Sequence, residues 1–524
     1  MDNSHQVSPV LSLKEARELE KSLLEDANAE WSAMELAGSG IAEGILRDYF
    51  ELKPLPDAPR VLVLVGKGHN GGDALLAAAE IMLQHPRSNV VCLLSTDPEL
   101  MKPLARRALE AVEGRVSIQK LGDESSLEWL EKLDAISGGK GFDICLDGLL
   151  GMSYKAPLEE SLSRLIQAVN DYSKIGMRAA VDMPSGLSQD NVKLGFLADF
   201  TYATGAIKKV HLESAESFGR VRWVDLGFFE QVEVRRTKEY FLTDSILNSQ
   251  RSLRPSMVDK RNFGHLFIVG GSSNMPGALL MSVQSAVRSG VGRVTAFAPE
   301  SVAASLAAQV PEAMWIPWPE SENGTLSPRA LPLLLQRLPK ATAVLMGPGM
   351  GRDRNTEQLA QEIISQVVLP IICDADALGL RVIELVQKRK AEWGSVVLTP
   401  HMGEFMLIAG LARPTLESDF LLEFCRKNQV VLVLKSPQTR CCDGASIYCN
   451  TFGGAVLSRG GSGDLLAGLI GGNLAQAKGQ GLESATKAVV WHGKAAEALA
   501  RDRGQVAVRT TEVLNYLPKI LRGD

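Results

Sequence analysis

The sequence predicts an α/β protein built as two tandem α/β domains, and three observations predict it. Aliphatic runs of strand length alternate with helix-forming stretches, first over 61–181 and again from 265 onward. Glycine-rich strings follow these runs repeatedly, where the carboxyl ends of parallel strands line a ligand crevice. A charged and polar stretch over 229–256 breaks the alternation once. At 524 residues the chain exceeds one ordinary core. The boundary is therefore placed inside that stretch, giving domains 1–235 and 236–524.

Residues 12–50 are rich in Ala, Leu and Glu, with apolar positions at helical spacing, and read as helices. Two prolines make 55–60 a loop. Val61-Leu62-Val63-Leu64-Val65 is a continuous aliphatic run, the pattern of a strand buried on both faces. A glycine loop and a helix over 74–84 follow, then strands over 90–94, 142–146 and 178–181 with helical stretches between. Within 229–256, Arg235-Arg236, Thr243-Asp244-Ser245 and Pro255 interrupt the pattern. The second series opens with a strand over 265–269, a helix over 277–289 and a strand over 294–297. Runs at 343–346, 370–373, 395–398 and 430–434 continue its sheet, and a helical tail from 465 to the C-terminus closes it.

Hydrophobic content of 45% and charged content of 22% suit a globular protein. A net charge of −5 argues against nucleic acid or an anionic membrane as bulk partner. The seven cysteines (Cys92, Cys145, Cys373, Cys425, Cys441, Cys442, Cys449) include no Cys-x-x-Cys pair, and their odd number points to reduced thiols. The first twelve residues are polar and no apolar run would span a bilayer, so a cytoplasmic protein is expected.

Gly66-Lys67-Gly68-His69-Asn70-Gly71 fits a dinucleotide-binding pattern. The acidic residue that pattern needs after the next strand is missing, since Leu94 runs into Ser95 and Thr96. A redox Rossmann domain is the weaker reading. The fuller string Gly68-His69-Asn70-Gly71-Gly72-Asp73 is more specific, as are Asp147-Gly148-Leu149-Leu150-Gly151 and Val181-Asp182-Met183-Pro184-Ser185-Gly186. Asn70, Asp147 and Ser185 offer hard oxygen ligands to a cation. A helix cap at Asp147 and a turn at Ser185 are the competing reading.

The second half carries five more strand-end strings, at 270–278, 347–351, 374–378, 399–405 and 435–439. A sixth, Ser458-Arg459-Gly460-Gly461-Ser462-Gly463-Asp464, precedes an apolar helical run. Dense glycine lets backbone approach an anion, and a helix N-terminus binds phosphate. A carboxylate there opposes anion binding, so Asp464 reads as a base beside a bound phosphate, with an ordinary N-cap as the alternative.

The first set of strings resembles the YjeF N-terminal domain family, the NAD(P)H-hydrate epimerases. The segment from about Arg254 onward resembles the ADP- or ATP-dependent NAD(P)H-hydrate dehydratases. Together they resemble the bifunctional NAD(P)H-hydrate repair enzymes. The resemblance implies an N-terminal Rossmann-like three-layer sandwich and a C-terminal ribokinase-like domain. It implies hydrate contacts at His69, Asn70, Gly71, Gly72, Asp73, Gly151, Met152, Ser153, Tyr154, Lys155, Ala156, Pro157 and Asp182, with Asp182 as acid or base. It implies potassium on Asn70, Asp147 and Ser185. In the second domain it implies hydrate contacts at Ala278, Gly349, His401 and Asp464. Lys435, Ser436, Pro437, Gln438, Thr439 and Gly463 would hold the adenine nucleotide, with Mg²⁺ on its phosphates.

The implied activity is repair of hydrated NADH and NADPH. One site interconverts R and S epimers. The other dehydrates the S epimer with ADP or ATP, giving NAD(P)H, AMP or ADP, and phosphate, with Asp464 accepting the hydroxyl proton. Closed homo-oligomers are expected of such domains. The alternative is a ribokinase-like kinase for a vitamin precursor, carrying a non-catalytic N-terminal ligand-binding module.

Overall fold

The computed structural model describes residues 7–187, 195–213, 215–230, 237–379, 381–477 and 479–523. The expected boundary at 235/236 lies outside the described residues. After β1 (Val7–Leu11) come two helices, Leu13–Leu23 and Ala27–Tyr49, where the sequence places them. A seven-stranded parallel sheet then forms from β2 (Arg60–Val65), β3 (Asn89–Leu94), β4 (Ser117–Lys120), β5 (Phe142–Gly148), β6 (Ile175–Val181) and β7 (Phe200–Thr204). Past the short β8 (Ile207–Lys208), β9 (Arg220–Val224) completes it.

Its spatial order is β4-β3-β2-β5-β6-β7-β9. Val61, Val63 and Val65 pack into one core layer and Leu62 and Leu64 into another, which is why the central strand is aliphatic throughout. The order reverses between β2 and β5, and an α/β sheet binds its ligand at that reversal. The two loops there touch. A Cβ on Gly66 would lie 1.9 Å from Leu149 O, so only glycine fits.

The second sheet contains β10 (Glu239–Leu242), β11 (His265–Val269), β12 (Arg293–Pro299), β13 (Met314–Trp318), β14 (Ala343–Met346) and β15 (Ile371–Cys373). It continues with β16 (Val396–Leu398), β17 (Val430–Leu434), β18 (Thr439–Cys442) and β19 (Ile447–Asn450). The order is β13-β12-β11-β14-β15-β16-β17-β18-β19-β10-β1-β8, parallel from β13 to β17 and reversing between β11 and β14. Phe267 and Val269 face one core layer, Leu266 and Ile268 the other.

Every strand expected from an aliphatic run is present. The strands not expected are mostly peripheral, but they include the buried β7, which lies between β6 and β9. β4 is a largely exposed edge, β13 carries a proline at the other sheet's edge, and β18 reads Thr-Arg-Cys-Cys. The polar stretch 229–256 is not structureless. It contains β10 and a 3₁₀ turn, Asp244–Gln250. β1 leaves its neighbours in sequence and joins the second sheet, antiparallel to β10 (Val7 opposite Leu242) and parallel to β8. The domains are also tied by buried charge. Arg222 Nε donates to Asp48 Oδ2 at 3.0 Å and its Nη1 to Glu497 Oε1 at 2.6 Å. All seven cysteines are buried and unpaired. Among the described residues, no helix is long and apolar enough to cross a membrane.

Candidate active sites

At the first reversal a cavity of about 180 Å³ opens. Gly68, His69, Asn70 and Asp73 reach it from the start of the helix His69–Gln84, and Gly151, Met152 and Ser153 from the loop after β5. Gly68 caps that helix without a side chain, leaving its first backbone N–H groups for a phosphate. Gly71 and Gly72 pack beneath. A Cβ on Gly71 would lie 2.0 Å from Gly66 O. Tyr154, Lys155, Ala156 and Pro157 are not among the lining residues, and the last three are exposed.

Asp182 follows β6 with φ of +58°, a left-handed conformation that non-glycine residues adopt at a cost. Four neighbours fix it there. Its N–H donates to Tyr202 O at 2.9 Å, and His211 Nε2 meets its carbonyl at 2.8 Å. The fully buried Lys208 ammonium pairs with its carboxylate, which also accepts from Thr204 N at 3.2 Å. Burial, helped by Lys208, pulls His211 down to about 4, so the ring is neutral. Its Nδ1 accepts from Lys208 N at 3.1 Å, which leaves the proton on Nε2.

Two further carboxyls share this cavity. Glu20, from the helix Leu13–Leu23, is pushed up to about 7 by burial against the pull of Lys208. Asp73 is driven well above the usual carboxylate range by burial and by Asp182 and Glu20. Burial thus favours the protonated forms of Asp73 and Glu20 beside the Lys208–Asp182 pair, giving the cavity a donor and an acceptor together. Glu20, Thr204, Lys208 and His211 were not singled out by the sequence. Glu20 reads as one more helical glutamate, and Lys208 lies beyond a strand that the pattern does not reveal.

Asn70, Asp147 and Ser185 do converge. Asp147 accepts from Ser185 Oγ and Ser185 N, both at 2.7 Å, and from Leu149 N at 3.2 Å. Burial still lifts its carboxyl to about 6, against those hydrogen bonds. Ser185 Oγ accepts from Leu150 N at 2.8 Å, and Asn70 Nδ2 donates to Leu150 O at 3.2 Å and Val181 O at 2.9 Å. Two backbone carbonyls thus aim at one point, where the Asn70 amide sits.

In the second domain Asp464 is not the N-cap. Gly461, with φ of +89°, caps the helix Ser462–Gln476, and Asp464 lies in its first turn. Its carboxyl is pushed up to about 7 by burial and by Asp374, with Lys435 pulling the other way. Lys435 Nζ donates to Asp374 Oδ1 at 2.8 Å, and Thr399 Oγ1 to the same oxygen at 2.7 Å. A Cβ on Gly463 would lie 3.3 Å from Lys435 Nζ. Lys435, Ser436, Pro437, Thr439, Gly463 and His401 line one cavity of about 670 Å³. Gln438 does not line it, because its side chain reaches back to His211 O at 2.9 Å and joins the two domains.

His401 caps the helix Met402–Ala409 through Nδ1, accepting from Gly403 N at 3.0 Å, and its Nε2 faces Glu404 Oε1 at 3.5 Å. Glu404 returns the contact to His401 N at 3.0 Å. Ala278 and Gly349 meet at the second reversal, where a Cβ on Gly349 would lie 3.0 Å from Ala278 Cβ. Among the described residues no group of three His, Cys, Asp or Glu side chains forms a metal site.

A family profile described as NAD(P)H-hydrate dehydratase matches residues 266–519. One described as YjeF-related protein N-terminus matches residues 31–210. A bifunctional NAD(P)H-hydrate repair enzyme from Moorella thermoacetica is 31% identical over 504 residues, covering 93% of this chain and 92% of that protein. Its counterpart from Gloeobacter violaceus is 32% identical over 523 residues, covering 96% of each. Among solved structures, the ADP/ATP-dependent NAD(P)H-hydrate dehydratase from Bacillus subtilis, co-crystallised with ATP and Mg²⁺, is similar at 25% identity. Its TM-score is 0.46, covering 54% of this chain and 98% of that one. Two domain profiles in tandem and full-length relatives place the chain in the family of bifunctional NAD(P)H-hydrate repair enzymes.

Proposed function

We propose that the first cavity interconverts the R and S epimers of hydrated NADH and NADPH, and that the second site dehydrates the S epimer with ADP or ATP. The observation that carries this is Asp464. It is a carboxyl lifted to about 7 in the first turn of a glycine-capped helix, beside Lys435 and Asp374.

A hydroxyl on the reduced ring is a poor leaving group. Asp464 accepts its proton as the oxygen takes the terminal phosphoryl group, and the phosphoryl bond to the nucleotide breaks. The C–O bond then breaks with phosphate leaving, the adjacent ring carbon gives up a proton, and the double bond returns. Backbone N–H groups of 460–463 stabilise charge on the transferring oxygens, and Lys435, held by Asp374, adds a fixed positive charge. Mg²⁺ would neutralise charge on the nucleotide phosphates. Asp374 and Asp464 are acids of suitable type beside it, which fits an ion held largely by phosphate and water.

In the first cavity one of Asp182 and Glu20 gives a proton to the hydroxyl at the hydrated carbon, so that the C–O bond breaks with water leaving as the ring nitrogen supplies the electron pair, and the other takes a proton from that water as it adds back to the opposite face. The oxygens of Leu150, Val181 and Ser185, with Asn70 turned to present Oδ1, fit potassium. The ion would fix the loops after β5 and β6 that carry Gly151 and Asp182.

The test is separated S hydrate with ADP or ATP, scored for inorganic phosphate and reduced nicotinamide in equal amounts. A stable phosphoester as the product would support the vitamin-precursor kinase instead.

A further inference from the structure

We propose that Arg220, a residue of the first domain, binds the nucleotide in the second domain's cavity, donating to its neutral base-and-ribose end. The inference rests on the reading of that cavity as the adenine-nucleotide site.

Arg220 opens β9, in the first sheet, yet it lines the same 670 Å³ cavity as Lys435, Ser436 and Gly463. It is fixed before any ligand arrives. Nη1 and Nη2 donate to the two oxygens of Glu51 at 2.8 and 2.7 Å, and Nη1 also donates to Gly453 O at 3.1 Å. The guanidinium lies 4.3 Å over the Phe200 ring. Gln505, from the second domain, holds Glu51 Oε2 at 2.7 Å. An immobilised donor of this kind loses little entropy on binding.

A guanidinium has five N–H groups, and among the described residues three of these are used. The pair with Glu51 is neutral overall, so the remaining N–H groups suit uncharged acceptors rather than phosphate. The phosphate end is already furnished at Gly463 and Lys435. A second observation points the same way. His492 lines this cavity at 4% exposure, and its Nε2 has no hydrogen-bond partner among the described residues. Burial pulls its ring down to about 4, so it offers a neutral donor or acceptor. Leu466, Val489 and Phe452 supply apolar wall beside it. Apolar walls with a few unspent polar groups are what a purine nucleoside requires.

The test is calorimetric binding of ATP, ADP and AMP to the full chain and two variants. Arg220→Lys keeps the charge opposite Glu51 but loses the fork. Arg220→Gln with Glu51→Gln removes both charges, so neither is left unpaired. Both should bind all three nucleotides about 10-fold more weakly, by a similar factor, with epimerisation unchanged. Wild-type affinity in Arg220→Lys would overturn the inference. So would a loss that grows with the number of phosphates. A wild-type protein that binds neither ATP nor ADP would overturn the reading of the cavity itself.

Discussion

Asp464→Asn removes one titrating proton while keeping the shape of the side chain. Asp464 ionises near its ordinary 3.8 when unfolded and near 7 when folded. Between those values the folded state binds more protons, so the wild type loses stability as pH rises, and the loss is complete above 7. A rise from 3.8 to about 7 is three decades of proton affinity, roughly 4 kcal/mol at about 1.36 kcal/mol per decade. Asp464 is partly accessible, and water and counterions reduce that to about 2 kcal/mol. The Asn variant has no such slope. Calorimetric melting at roughly pH 4.5 and pH 8 should therefore show Asp464→Asn gaining on wild type by about that amount at the higher pH, while its dehydration rate falls roughly 10²–10⁴-fold. A gap that stays constant or narrows with pH would refute the buried-base argument, whatever the rate does.

Asp182→Ala should abolish enzymatic conversion of the R epimer and leave S dehydration intact. An epimer-resolved assay reads this, and a parallel fall of both activities would contradict two separate sites. Glu20→Gln should slow epimerisation and remove an inflection near pH 7 from its kcat/KM profile, where wild-type Glu20 titrates. An unchanged profile would take Glu20 out of the chemistry. Lys208→Met leaves the buried Asp182 carboxylate without its cation, and should cost about 3–5 kcal/mol in melting of the first domain unless Asp182 takes up a proton. Recovery of that stability at low pH is the expected signature.

Most of the fold was legible because central parallel strands must be aliphatic on both faces. The runs at 61–65, 265–269, 343–346 and 430–434 have no other reading. β1, β10 and β18 were illegible for the converse reason. Their pairing is decided by long-range partners, and β1 reaches a sheet whose other strands begin about 200 residues later or more. In the candidate sites, residues inside glycine-rich strings were visible because backbone approach demands glycine. Those that act from ordinary helix or strand positions, such as Glu20, Lys208, Arg220 and His492, carry no local signal. Asp464 shows the limit from the other side. The sequence left it between cap and base, and the φ of +89° at Gly461 separates the two by moving the cap three residues upstream.

The most direct measurement is to incubate the full chain with mixed hydrate epimers, with and without ADP or ATP, and follow the absorbance of reduced nicotinamide together with phosphate. Complete return of absorbance from both epimers, nucleotide-dependent and with one phosphate per ring restored, is predicted. Return of only the S fraction at an enzymatic rate, or a phosphorylated product with no absorbance gained, would contradict the account.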